Sequence, residues 1–598
     1  MMKYPLVGVA VAVFMLVSAG CQEWFLNRAD LEVTRLIRQR QEAALGITSD
    51  FSLPPEDGRS NKSTDMYSFV PRPVDTRIPD EFKTARIIEE EELSKLSAEQ
   101  IRQLGDEGIG PTAVPKDRVF TLPDALGYAQ RHARDFQTEK EDLYLSALAL
   151  SLERFLWTPQ FMSEVSFEYA NYGQIRDFDR AMTAVADFAV TQRLPYGGTV
   201  TAQVIASVMR DLGVHTTSGE GADVILAADI PLLRGAGRVA YESRYQAERD
   251  LIYSVRVFER FRRSFLVDVA SDFFNLLSQK ARIEAAFLSE NSFLDDLKRE
   301  EAFAEIDPSK QIDADRARVE FLQARNERIV AEADFQTNLD LFKIRIGMPT
   351  TEPLDVADSE LGLFEPQIDE EQAVAAGQQY RLDLLNTRDF IDDARRGVLI
   401  AKNNMLPDFD VSGSVTNSTD PGHLSTTGFN TERTTWRGGV SLEIPLNRRA
   451  ERNDLRASII GLRRAERNLD QALDTVRVEI RRSIRRVEQS RVTLRIQEEQ
   501  IRTNQFRVEK ARTELRLGTL PSNRDVVEAE NDLRRARNEL ADAESDYRRA
   551  ILEFLRDTGM LRIEEDGSWL ATQLVNSNAT PRTPKKVDPA EDRAALQP

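Results

Sequence analysis

Few residues in this chain are equipped for chemistry. There is one cysteine, Cys21, and there are three histidines, His132, His215 and His423, among 598 residues. A metal centre needs His, Cys or carboxylate ligands at short spacing, and a nucleophile needs a base beside it. These four residues show neither pattern, so no catalytic residue, metal or cofactor is expected. Gly235-Ala236-Gly237 lacks the third glycine of a dinucleotide cradle, and it follows an Ile-Pro-Leu strand exit, where a flexible joint is the simpler reading. The best-placed carboxylates are Asp525 and Glu528. Three residues apart, they share one face of a helix that opens after the turn Leu517-Gly518-Thr519-Leu520-Pro521-Ser522. Two carboxylates on one face would attract cations; equally, Ser522 and Asp525 can cap the helix, and acids in a first turn suit its dipole. Asp313 lies in the corresponding earlier helix. Arg481, Arg482, Arg485 and Arg486 form a basic cluster, for which a solvated or Glu-paired helix face suffices.

The elements that position these groups must be long helices. Charged residues make up 30% of the chain, with only 24 prolines and 29 glycines, which suits extended, hydrated helices rather than disorder or a bundle of membrane helices. A net charge of -19 argues against nucleic acid, since phosphate binding needs a basic face; the expected partners are proteins. Lys3 followed by apolar residues 6–17 reads as an export signal over residues 1–20. Cys21 after Ser18-Ala19-Gly20 resembles the lipobox of bacterial lipoproteins, with Ser18 where that motif usually has Leu. Lipidation of Cys21 is what this resemblance implies, and by the same resemblance to lipoproteins Gln22 after it is compatible with delivery to the outer membrane. A lone cysteine forms no internal disulfide.

The chain is written twice. Residues 121–161 align without a gap on residues 369–409, setting Ala125 on Ala373, Asp135 on Asp383, Pro159 on Pro407 and Phe161 on Phe409. Asp229-Ile230-Pro231-Leu232 recurs as Glu443-Ile444-Pro445-Leu446. Pro159 and Pro407 each end a helix, and beyond them the period changes from 3.6 to 2: Val165, Phe167 and Tyr169 alternate with polar residues, as do Phe409, Val411 and Val415. Residues 408–445 hold one hairpin. The longer region 160–231 adds alternating segments 184–190 and 200–206 around Pro195-Tyr196-Gly197-Gly198, a second hairpin, so this region supplies two strands or four. Trp436, Tyr169 and Tyr172 suit either interfacial belts or packing. After each sheet region comes a helix with a heptad seam: Leu251, Val255, Phe258, Phe265, Val269 and Phe273 in the first copy, and Leu455, Ile459, Leu462, Leu469, Leu473, Val476, Ile480, Ile484 and Val487 in the second. The second extends on the order of 100 Å at ~1.5 Å per residue.

The domain plan is a signal peptide (1–20), an N-terminal extension (22–115) with a helix near 26–45 and an acidic helix near 81–104, and a first repeat (116–347; hairpin region 160–231, long helices 238–347). A connector (348–368), a second repeat (369–560; hairpin 408–445, long helices 449–557) and a mobile tail (561–598) follow.

This order of parts resembles the TolC-like outer-membrane efflux proteins over about residues 120–561. The resemblance rests on Leu122, Ala125 and Ala129, the segment Arg381-Leu382-Asp383-Leu384, Leu406-Pro407, the two Ile-Pro-Leu exits, and the Gly518 turn before residues 525–530. Arg134-Asp135 stands where the family usually has Asn-Pro. The resemblance implies a mainly α chain whose duplicated coiled-coil helices form an α-barrel and whose hairpins contribute to a trimeric outer-membrane β-barrel. It also implies a homotrimer in outer-membrane lipid working with a periplasmic adaptor and an inner-membrane pump of RND or ABC type, a passive conduit in efflux or type I secretion, with gate carboxylates near Asp525 and Glu528. The competing expectation is a structural or adhesive coiled-coil lipoprotein, for which the heptads alone would serve.

Overall fold

A computed structural model of the chain describes residues 22–46, 118–171, 180–211, 219–357, 369–420, 428–517, 523–563 and 569–571. Helix α1 (Gln22–Leu45) leads to a short strand β1 (Val119–Phe120) and two helices, α2 (Leu122–His132) and α3 (Arg134–Phe155). Four strands follow: β2 (Gln160–Asn171), β3 (Arg180–Arg193), β4 (Thr199–Asp211) and β5 (Gly219–Pro231). After a 3-10 turn at Gly237–Tyr241 come the long helix α4 (Glu242–Ile306) and the returning α5 (Gln311–Ile346). Strand β6 (Asp355–Val356) then pairs in parallel with β1, joining the connector to the start of the first repeat.

The second repeat follows the same order with α6 (Glu370–Tyr380), α7 (Leu382–Asn403), β7 (Asp408–Thr419), β8 (Phe429–Glu443), α8 (Arg449–Leu517) and α9 (Asn523–Asp557). Last come β9 (Leu561–Ile563) and β10 (Trp569–Ala571), a small antiparallel pair at the head of the segment whose polar composition suggested only a tail.

The region before Pro231 supplies four strands, not two. β2 to β5 join β7 and β8 in one antiparallel sheet of order β2-β3-β4-β5-β7-β8. The β3–β4 turn explains why the extra hairpin is integral. Gly197 and Gly198 take positive φ values of 104° and 89°, and a Cβ on Gly198 would lie 2.1 Å from the Asp229 carbonyl oxygen. The Tyr196 carbonyl accepts from Gly237 N at 2.8 Å, so this turn is fastened to the exit of β5 and to the lead-in of α4. The Gly235 joint is held too: its N–H donates to Asn403 Oδ1 at 2.8 Å, while Asn403 Nδ2 donates to the Leu233 carbonyl at 3.1 Å.

Each repeat breaks its first helix where the returning helix ends. Between α2 and α3, Ala133 is extended (φ -65°, ψ 130°), although Arg134-Asp135 replaces Asn-Pro; between α6 and α7, Arg381 is extended likewise (φ -69°, ψ 122°). Against these breaks sit the left-handed glycines Gly347 (φ 82°) and Gly559 (φ 73°). A Cβ on Gly347 would meet the His132 carbonyl oxygen at 2.0 Å, and one on Gly559 would meet the Tyr380 carbonyl carbon at 3.0 Å. The backbone contact that closes each repeat, more than proline, imposes the break.

The main core lies around these breaks. Phe136, Phe258, Phe265, Phe273 and Phe342 of the first repeat pack with Val476, Ile480 and Phe554 of the second, and α1 adds Val33, Leu36 and Ile37. The extension thus closes one side of the core, with Ser151 donating to Glu32 at 2.9 Å. The α8 seam is buried only through its middle, at Val476, Ile480, Ile484 and Val487; Leu455, Ile459, Leu469, Leu494 and Ile501 stay half-exposed in the single chain.

Candidate channel-forming site

The functional surfaces are a two-faced sheet at one end of the helices and a helical tip at the other. Residues paired directly across an antiparallel ladder point to the same face, so the register assigns every strand position to a side. One rung runs Phe161–Val190–Ala202–Leu226–Val415–Trp436 across all six strands, and its neighbour runs Gln160–Thr191–Thr201–Ala227–Ser414–Arg437. The first face continues with Val165, Phe167, Phe188, Val204, Val224, Val411 and Val440. The second carries Glu164, Glu168, Asp187, Asp223, Asp229 and Asp410 with Arg193 and Arg437. No described element covers the apolar side: Phe161 is 72% and Trp436 77% exposed. The apolar residues that alternation picked out therefore form a broad sheet face rather than half of a sandwich core. Trp436 and Tyr169 both lie on it, Trp436 in mid-strand; Tyr172 is outside the described residues.

The four prolines lie at one end of the sheet. Pro159 and Pro407 directly precede β2 and β7, Pro231 is the last residue of β5, and Pro445 follows β8 by one residue. All chain crossings between helix and sheet are thereby on one side. With strands of 12 to 15 residues, a tilt of ~40° gives a height of roughly 30–38 Å at ~3.3 Å per residue, enough to span an apolar band of about 25 Å.

At the far tip, α4 and α5 pack with the first turns of α9 through Phe293, Leu297, Phe321 and the partly buried Val527. Asp525 and Glu528 are both exposed. Val526, Ala529 and Leu533, between and beyond them, are buried. Asp313, in the first turn of α5, is half-exposed and paired with Lys310 at 3.5 Å and Arg316 at 3.9 Å. Cys21 and the turn residues Gly518 to Ser522 lie outside the described residues, as do His215 and His423; His132 is exposed at the end of α2.

The acid that organises this tip was missed in the sequence. Glu530 is only 6% exposed; its Oε1 accepts from Arg512 Nη2 at 2.5 Å and Nε at 3.0 Å, and Arg512 also reaches Ser292 on α4. One pair thus ties α8, α9 and α4 together. The available signal was a carboxylate four residues after buried Val526, on the apolar stripe rather than off it.

Two of the four arginines of the basic cluster on α8 form ion pairs with neighbouring helices. Arg481 meets Glu370 at 2.6 Å and Arg486 meets Glu553 at 2.9 Å. Arg482 and Arg486 also line a cavity of about 390 Å³ beside the α6–α7 break, shared with Arg381, Asp383, Glu479 and Asp557. There Arg381 grips both oxygens of Asp383, at 3.1 and 2.7 Å. Burial alone would raise the Asp383 pKa, but the Arg381 hydrogen bonds and the charges of Arg381 and Arg260 outweigh it and hold the group below the usual carboxylate range. Asp557 moves the other way, pushed up by burial despite Arg556 and Arg381. Among the described residues no cluster of His, Cys, Asp and Glu could hold a metal ion, and no helix is long and apolar enough to cross a membrane.

Comparison with known proteins converges on this geometry. Residues 375–556 match the family model described as outer membrane efflux protein. No curated protein sequence matches the chain. Among solved structures, the chain is similar to the Campylobacter jejuni CmeC outer membrane channel (13% identity, 76% of this chain and 87% of that one, TM-score 0.57). It is similar also to CusC (14%, 75% and 96%, 0.55) and to the open state of the Neisseria gonorrhoeae MtrE outer membrane channel (13%, 75% and 94%, 0.51). The chain thus carries an outer membrane efflux protein domain in its second repeat, and its fold across both repeats is similar to that of solved outer membrane channels.

Proposed function

We propose that three copies of this chain assemble into a passive conduit, with the sheets crossing the outer membrane and the helices enclosing a duct through the periplasm. One observation carries the reading: a sheet apolar on one face and polar on the other from β2 to β8, with both edge strands unpaired among the described residues. In hydrocarbon every exposed backbone polar group costs several kcal/mol, so such a sheet needs neighbours to close its edges. The half-exposed α8 seam makes the same demand of the helices. A coiled-coil spacer would have no use for this sheet.

In this reading Cys21 is acylated and anchors the chain in the outer membrane. The energy comes from an inner-membrane pump of RND or ABC type through a periplasmic adaptor, and the chain itself performs no catalysis. Asp525 and Glu528, with Asp313 beside them, line the periplasmic mouth as a gate, supported by their exposure at the free tip. Purified protein in mild detergent should be trimeric and should give discrete conductance steps in planar bilayers. Monomers without conductance would refute the conduit. Asp525→Ala with Glu528→Ala should raise conductance or weaken block by divalent cations; unchanged block would leave the pair as helix caps.

A further inference from the structure

Resting on that conduit reading, we propose that β2 of each chain pairs with β8 of the next, closing three six-stranded sheets into one eighteen-stranded barrel wide enough for bulky, hydrated solutes. The partner on both sheet edges is therefore another copy of this chain.

Three observations lead there. The sheet ends at β2 and β8, which pair with nothing among the described residues, and six strands fall short of the eight in the smallest single-chain membrane barrels, so one sheet does not close on itself. The strand directions alternate through β2, β3, β4, β5, β7 and β8. A β8 edge meeting a β2 edge therefore continues the antiparallel order, and closure needs no change of pattern. Finally, the two faces keep their character to the last strand on each side: Phe161 and Trp436 lie on the apolar face, Gln160 and Arg437 on the polar one, so joining edges extends both faces without a break.

The width follows from the first repeat. Its region contributes four strands where the second contributes two. Had each repeat supplied one hairpin, three chains would make twelve strands. At ~4.8 Å between strands and a tilt of ~40°, twelve strands enclose a backbone diameter of roughly 24 Å and eighteen roughly 36 Å. Cross-section grows as the square, about twofold. Barrels of sixteen to eighteen strands hold an aqueous channel, and a pore of this size suits solutes beyond the dimensions of a small drug, such as oligomeric chains or large hydrated complexes.

The junction can be tested by cross-linking in a Cys21→Ala background. Ser166→Cys on β2 is combined in turn with Thr435→Cys, Arg437→Cys and Gly439→Cys on β8, all on the polar face, and the full-length protein is oxidised in detergent. At least one pair should give reductant-sensitive dimers and trimers on denaturing gels. Trimers by light scattering with no cross-link from any pair would overturn the β2–β8 junction while leaving the conduit standing; protein with no oligomer at all would sink both. The width is read by adding polyethylene glycols of graded size to the extracellular side and recording which ones lower conductance. A variant with residues 172–218 replaced by a short Asn-Gly turn, which removes β3 and β4, should exclude polymers about 1.5-fold smaller in radius than those the full chain admits. Equal cut-offs would overturn the wide barrel. If the shortened variant fails to assemble, the full chain's own cut-off decides, and exclusion of every polymer too large for a barrel of roughly 24 Å backbone diameter would overturn the wide barrel.

Discussion

Glu530 and its neighbours Asp525 and Glu528 set a buried acid beside two exposed ones, the proposed gate, within six residues. Glu530 is buried against Arg512, and removing one partner of a buried pair strands the other. Because Arg512 is partly exposed, Glu530→Ala should cost about 1–3 kcal/mol, seen as a lower thermal midpoint. Asp525→Ala and Glu528→Ala, on the exposed side, should shift stability by no more than about 0.5 kcal/mol; a comparable loss would show that they are structural. Asp383 offers a pH signature. Its folded pKa lies below the ordinary value of 3.8, so the Arg381–Asp383 contact stabilises fully above that value and is lost as pH falls through the folded pKa. Asp383→Asn should therefore cost about 1–3 kcal/mol at neutral pH, with melting curves that converge with the parent in strong acid. A constant gap across that range would rule out the ionised carboxylate as the source.

Among the elements, the repeats were readable because duplication placed proline, alternation and heptads in the same order twice. Pro159 and Pro407 marked where helix gives way to strand, and the Phe161 and Phe409 registers followed. What the pattern did not reveal was contact between segments far apart in the chain. Alternation found the segments around 184–190 and 200–206 but could not tell that Gly198 packs on Asp229, which makes the second hairpin part of the sheet. The α2–α3 break survives without Asn-Pro because Gly347 presses on His132, a constraint invisible locally. Helix α1 was expected near residues 26–45, but nothing there announced that Val33 and Ile37 complete a core formed by both repeats. Gly347→Ala should accordingly be the more damaging of the two glycine substitutions, by about 2–4 kcal/mol from positive φ and overlap together; Gly559→Ala, with a gap of 3.0 Å, should cost less. Comparing their thermal midpoints checks the order, and a reversed order would contradict the packing described.

For the whole molecule, the conduit reading places the polar sheet face toward the lumen. Glu164, Glu168, Asp187, Asp223, Asp229 and Asp410 there outnumber Arg193 and Arg437. A lumen of that charge attracts cations, so reversal potentials in a salt gradient should favour cations over anions, less so at high ionic strength as screening grows. Anion preference would turn the sheet inside out.

In the conduit reading, because every helix-to-sheet crossing among the described residues lies at the proline end, a chain that leaves for the membrane must come back, and strands can be gained only in twos. Under threefold symmetry each such gain is multiplied to six staves around the ring. Pore calibre in this architecture is therefore coarse-grained: a lineage changes gauge by a whole notch or leaves it alone, and fine adjustment of what passes falls to side chains and to the periplasmic mouth.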